Sequence, residues 1–221
     1  MIAAVAEPAD AAARTGAAGG PQALTQRPVQ LQGSAFAVAL LRLAGWQLSF
    51  NGLPGAQGVA VVYPHTSNWD FVVGMLAKWA IGIPLAFWGK DTLFRIPLFG
   101  RWLRWLGGVP VDRSSASGIV GQMASALTAA RENGDFMWLA LSPEGTRKYS
   151  AAWRSGFYHV AQQAGVPLAL VYLDYREREI GVQHFLRLTG DVSADMAAIA
   201  SVLSGRIGRN PVQAAPIRLE S

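Results

Sequence analysis

Residues 58–81 read GVAVVYPHTSNWDFVVGMLAKWAI, and the architecture follows from how this stretch is divided. Gly58–Tyr63 is a short apolar run stopped by Pro64, the pattern of a buried strand. Trp69–Ile81 is long enough for a helix and is closed by Gly82 and Pro84. The loop between them carries His65. The same alternation continues downstream. Leu85–Trp88, Val109–Asp112, Phe136–Leu141, Pro167–Leu173 and Val182–Leu188 read as strands. Ile96–Leu106, Ser117–Glu132, Trp153–Ala164 and Ala194–Ile207 read as helices. Strands alternating with helices predict an α/β fold, a largely parallel sheet flanked by helices, with ligands at the carboxyl ends of the strands.

Upstream, Ala35–Phe50 (AFAVALLRLAGWQLSF) is apolar except for Arg42, Gln47 and Ser49, and predicts an N-terminal apolar helix of about four turns. A transmembrane helix needs about 20 such residues, so this one either packs on the domain or lies in the plane of a membrane surface. Residues 1–33 are rich in Ala, Gly, Pro and Gln and lack the basic start and apolar centre of a secretory signal. They read as a flexible leader of a cytoplasmic protein. The expected organisation is therefore a leader (1–33) and one domain (34–221). Within it, 34–55 forms a membrane-facing helix and turn and 58–210 the catalytic core.

Composition narrows the chemistry. With 51% hydrophobic and 15% charged residues over 221 positions, the chain has the material for a core and is not a disordered polymer. It has no cysteine, which excludes disulfides, thiol nucleophiles and thiolate metal sites. The net charge is +5, and only three of the nineteen cations are lysine. Arginine forks suit phosphate or carboxylate, so an anionic ligand or surface is expected. Eight tryptophans, several beside arginines, fit a lipid–water boundary. The absence of any polybasic run or tail argues against nucleic acid.

Three constellations carry polar chemistry. In Pro64-His65-Thr66-Ser67-Asn68-Trp69-Asp70, His65 follows an apolar strand and Asp70 lies five positions on. On one continuous helix those side chains would be about 140° apart. His65 must then sit in the loop and Asp70 in the first helical turn, where the carboxylate can hold one ring nitrogen and leave the other as a base. Ser67-x-x-Asp70 is equally a helix-capping box, with Asp70 serving backbone donors. In Ser142-Pro143-Glu144-Gly145-Thr146-Arg147, Gly145 allows backbone to approach an anion, Arg147 can grip phosphate, and Glu144 suits polyol hydroxyls. An ordinary turn with a surface arginine has the same composition. Between Lys90 and Arg113, Arg101 and Arg104 share a helix face beside Trp102 and Trp105. That fits either an interfacial helix or a core helix with solvated cations. Lys90 and Arg113 end strand-like runs and so point toward the loop side. No serine elbow, phosphate loop or dinucleotide fingerprint is present, and His159 and His184 lack metal-ligand spacing.

Taken in order, His-Thr-Ser-Asn-Trp-Asp, the Lys90–Arg113 block, Pro-Glu-Gly-Thr-Arg and Val166-Pro167 resemble the glycerolipid acyltransferase family over about residues 58–175. Gly45-Trp46 and the Asn51–Pro54 turn resemble the lead-in of its small bacterial members. The resemblance implies a glycerol-3-phosphate acyltransferase-like fold. It also implies transfer of a fatty acyl group from a thioester of coenzyme A or acyl carrier protein to a lysophospholipid hydroxyl, by default that of 1-acylglycerol-3-phosphate. His65 would be the general base and Asp70 its orienting carboxylate. Glu144, Gly145, Thr146 and Arg147, helped by Lys90 and Arg113, would hold the glycerol phosphate. No cofactor or metal is implied, since the thioester is a substrate, and the protein would sit peripherally on the cytoplasmic face of the membrane. Ser142 replaces the family's common Phe and Lys148 its common Ser, which leaves another lysolipid or an amino-lipid hydroxyl open as acceptor. Competing readings are a thioester or phosphoester hydrolase and a non-catalytic lipid-binding protein.

Overall fold

Val59 and Val61 belong to the core on one side of their strand, while Ala60 belongs to the core on the other. A strand covered on both faces has no polar face to alternate, which is why its sequence is a continuous apolar run. The computed structural model describes residues 20–111 and 116–220. This strand, β3 (Gln57–Tyr63), lies near the middle of an eight-stranded sheet. The others are β1 (Gln22–Ala23), β2 (Gln47–Phe50), β4 (Leu85–Lys90), β5 (Gly108–Val111), β6 (Met137–Leu141), β7 (Leu168–Asp174) and β8 (Glu179–Arg187). Their order is β1-β8-β7-β3-β6-β4-β5, with β2 also on β8.

The central pairs β3/β6, β3/β7, β4/β6 and β4/β5 are parallel, as is β2/β8. The pairs β7/β8 and β1/β8 are antiparallel, so the sheet is mixed. The reason is local. Only four residues separate β7 from β8, too few for the crossover that a parallel return requires.

One face is covered by α5 (Ala116–Asn133), α6 (Gly156–Ala164) and α7 (Val192–Leu203), through Leu127, Phe157, Val160 and Ile199. On the other lie α1 (Ala35–Leu43) and α2 (Trp69–Ile81), through Leu41, Val73 and Ala77. A short α3 (Asp91–Phe94) and α4 (Phe99–Trp105) fill the connection from β4 to β5. The helix expected over Ile96–Leu106 is α4, which starts three residues later at Phe99.

Two expectations about the amino-terminal part are corrected. The four-turn helix over Ala35–Phe50 does not form: α1 ends at Leu43 after nine residues, and Gln47–Phe50 is a strand. Gly45 adopts φ +77, and a Cβ there would lie 2.8 Å from Arg178 Nη1, so the chain turns out of the helix. The freed segment then pairs with the open edge of β8. Residues 20–33, expected to be flexible, are laid on the same edge. Gln22 and Ala23 pair with Arg187 and Leu186, and Val29 bridges Leu53. The Arg27 guanidinium sits 4.4 Å from the Phe185 ring centre. Edge pairing satisfies backbone groups without needing much apolar side chain, so a composition argument alone misses it. Residues 1–19 lie outside the described residues.

Candidate active site

Because β3, β4, β6 and β7 run parallel, the loops that leave their carboxyl ends share one edge of the sheet. Pro64–Asn68 follows β3, Ser142–Ser155 follows β6, Tyr175 follows β7, and Lys90 closes β4. His65, Asp70, Glu144, Thr146, Arg147 and Tyr175 lie on or next to these loops.

At the start of α2, Asp70 is only 3% exposed. Its Oδ2 accepts the backbone N–H groups of Thr66 (2.7 Å) and Ser67 (2.8 Å) and lies 3.4 Å from His65 Nδ1. Its Oδ1 accepts the Tyr175 hydroxyl at 2.7 Å. Asp70 thus serves the backbone donors of the loop before α2, folding it back over the helix start, and that fold brings the imidazole to the carboxylate. Burial pushes the Asp70 carboxyl up, but hydrogen bonds from His65, Tyr175 and Ser67 outweigh it and hold the group below its ordinary value. The His65 side chain keeps 24% exposure, so one flank of the ring faces the open edge.

Glu144 requires a correction. Expected to meet substrate hydroxyls, it is 2% exposed, and protein donors occupy both oxygens. Its Oε2 accepts the His65 backbone N–H at 2.6 Å and its Oε1 the Ala215 N–H at 2.9 Å. Burial raises its pKa, opposed by these same two bonds. Glu144 fastens the His65 loop and does not line the open side.

The rest of the second constellation stays exposed. Thr146 and Arg147 are on the surface, and among the described residues no carboxylate pairs with the Arg147 guanidinium. Gly145 has φ +64, and a Cβ there would lie 2.8 Å from Arg154 Nε. Only glycine lets the Arg154 guanidinium lie so close to the loop. Lys90 is exposed at the end of β4, two strand spacings from β3, roughly 10 Å. Arg113 lies outside the described residues.

The 206–219 segment completes the site, and its share in it was not foreseen. Asn210 donates from its backbone N to Thr66 Oγ1 (3.1 Å) and from Nδ2 to Thr66 O (2.8 Å). With its amide nitrogen turned toward two carbonyls, Gln213 donates to Thr66 O (2.9 Å) and Arg147 O (2.7 Å). One side chain therefore ties the His65 loop to the Arg147 loop. These partners lie more than 140 residues from Thr66 along the chain, and nothing in their sequence announces them. Tyr175 did carry a signal: it follows an apolar strand at its carboxyl end, as His65 does.

The acyltransferase family model matches residues 49–173. The 1-acyl-sn-glycerol-3-phosphate acyltransferase of Escherichia coli (strain K12) is 30% identical over 122 residues, covering 53% of this chain and 47% of that protein. The chain thus spans about half the length of that curated relative. In fold it resembles PlsC, the 1-acyl-sn-glycerophosphate (LPA) acyltransferase of Thermotoga maritima, with a TM-score of 0.50 at 18% identity over 76% of this chain and 73% of that one. Since the family model accounts for more than half of the sequence and spans the His65, Asp70 and Arg147 loops, the chain belongs to the acyltransferase family.

Proposed function

We propose that the protein moves a fatty acyl group from a thioester of coenzyme A or acyl carrier protein to a hydroxyl of a lysophospholipid, with 1-acylglycerol-3-phosphate as the default acceptor. The observation that carries this reading is the joining of an Asp70-braced imidazole to the arginine-bearing loop through Glu144, whose carboxylate accepts the His65 backbone N–H at 2.6 Å. His65 Nδ1 faces Asp70, which leaves Nε2 as the base. It takes the proton of the acceptor hydroxyl as the oxygen attacks the thioester carbonyl. The new C–O bond forms, the tetrahedral centre collapses, the C–S bond breaks, and the imidazolium returns its proton to the departing thiolate. No acyl-enzyme is needed, which suits a chain without cysteine. Arg147, with Lys90 and Arg113, would hold the acceptor phosphate.

The site would work at a membrane surface, the cytoplasmic face being the expected side. Among the described residues no helix is long and apolar enough to cross a membrane. Support for peripheral docking comes from apolar side chains facing outward: Phe36 and Leu43 on α1, and Leu98, Trp102 and Trp105 at α4. Trp105 is 75% exposed and has Arg101 and Arg104 on the same short helix. Indoles beside guanidinium groups suit an anionic lipid interface.

The test is acyl-coenzyme A or acyl carrier protein thioester incubated with purified protein and a mixed lysolipid pool. Free thiol and the lipids formed are measured together, the lipids by mass spectrometry. Thiol release that requires both an acceptor and His65 supports the reading, and the product identifies acceptor and chain length. Release without any acceptor would mark a hydrolase, and no His65-dependent release with any acceptor would overturn the proposal.

A further inference from the structure

We propose that Tyr175 is a positioning residue for the His65–Asp70 pair, its hydroxyl holding the Asp70 carboxylate in the orientation that faces the imidazole. This rests on the reading of His65 as the base and extends it to a residue beyond the span of the family match.

The argument is one of divided labour on a buried carboxylate. Asp70 Oδ2 serves Thr66 N, Ser67 N and His65 Nδ1. Among the described residues, Tyr175 is the donor to Oδ1. Three donors hold Oδ2 at the ring, and a donor on Oδ1 fixes the plane of the carboxylate about its last side-chain bond, so that Oδ2 keeps one direction toward Nδ1. The donor on Oδ1 also leaves no charged oxygen buried without a partner, which would be costly.

Tyr175 is itself anchored. Its backbone N–H donates to Ile207 O at 2.8 Å, and its ring stands edge-on to Trp46 at 4.9 Å and 88°. Burial, then the bond to Asp70, pushes the phenol well above its ordinary value, so it remains a protonated donor at any working pH. The Tyr175 hydroxyl also draws negative charge out of Asp70, charge that would otherwise favour the imidazolium. Among the described residues, the other charged groups acting on this set are Glu144, which acts on both Asp70 and His65, and Arg209, which acts on Tyr175. Neither donates to Asp70 Oδ1.

The experiment compares wild type, Tyr175→Phe, Asp70→Asn and the double variant. It reads acyl-transfer kinetics and, on protein without substrates, the midpoint of the His65 imidazole by nitrogen NMR, with His65→Ala assigning the signal. Tyr175→Phe is expected to lower kcat roughly tenfold, the worth of a hydrogen bond to a charged group, with KM for the acceptor unchanged. The same variant should move the His65 midpoint upward. In the Asp70→Asn background, removing the hydroxyl should move it no further. A 3-fluorotyrosine at position 175, a stronger donor of nearly the same shape, should move the midpoint downward, and it serves where the Phe variant fails to fold. A lower melting temperature with kcat and the His65 midpoint both unchanged overturns the proposal. Inactivity of wild type toward every acceptor would instead refute the functional reading, while the NMR arm would still test the Tyr175 linkage.

Discussion

The backbone N–H of His65 donates to the Glu144 carboxylate at 2.6 Å, joining loops 79 residues apart. Glu144 thereby links the second sequence block to the first from behind, on the buried side, and the consequences separate it from a substrate ligand.

Glu144→Ala would strand two donors, the part-buried N–H of His65 and the buried N–H of Ala215. At about 1–3 kcal/mol for each unsatisfied group, the variant should melt well below wild type and lose kcat. Because Glu144 does not face the open side, KM for the acceptor should hold in whatever activity remains. A rise in KM with normal stability would place the carboxylate on the substrate after all.

Arg147→Ala should behave in the opposite way. The guanidinium is exposed and has no carboxylate partner among the described residues, so thermal stability should stay within about 0.5 kcal/mol of wild type. KM for a phosphate-bearing acceptor should rise about 10–100-fold, the loss of a charge-assisted contact of about 1.5–3 kcal/mol. An acceptor without phosphate should be unaffected. Steady-state kinetics with both acceptors checks this.

Gly208→Ala tests the clamp of the 206–219 segment. A Cβ at 208 would lie 2.7 Å from Thr66 Oγ1 and 3.1 Å from Pro64 Cβ, pressing on the loop that carries His65. Overpacking of this kind costs about 1–3 kcal/mol, and kcat should fall with it. Unchanged kcat and melting temperature would show that the segment does not brace the loop.

The acid limb of stability should carry the mark of Asp70. Its folded-state pKa lies below the unfolded value of 3.8, so its contribution is fully present above pH 3.8 and disappears as pH falls through the depressed folded value. Glu144, whose folded pKa is raised, has the opposite sign and is common to both proteins. Asp70→Asn should therefore be less stable than wild type at pH 7, with the gap closing below pH 3.8. Chemical denaturation at pH 7 and pH 3 measures it, and a gap that stays constant would contradict the assignment.

Trp102→Ala/Trp105→Ala should weaken flotation with anionic liposomes while leaving the fold intact, since both indoles are substantially exposed. Equal flotation of variant and wild type would remove α4 from the membrane-facing surface.

Much of this molecule was legible along the chain. The apolar run ending at Tyr63, the loop and the helix Trp69–Ile81 follow from local rules of burial and helix closure, and α2 occupies that span. The return from Asp70 to His65 was legible too, because five residues across a helix start leave few other geometries. These are short-range relations, set by backbone sterics and the spacing of apolar side chains.

What lay beyond such rules were contacts whose partners are remote in sequence. Whether Glu144 faced solvent or the interior depended on Ala215 arriving from the other end of the chain. That Gln47–Phe50 would be a strand depended on the vacant edge of β8. Backbone donors and acceptors must be satisfied wherever they are buried, and their partners are found only once the whole sheet is assembled. Local residue patterns thus determined most of the element order and the nearness of His65 to Asp70, while the assembled sheet selected which carboxylate is buried, which arginine stays open, and what holds the imidazole in place.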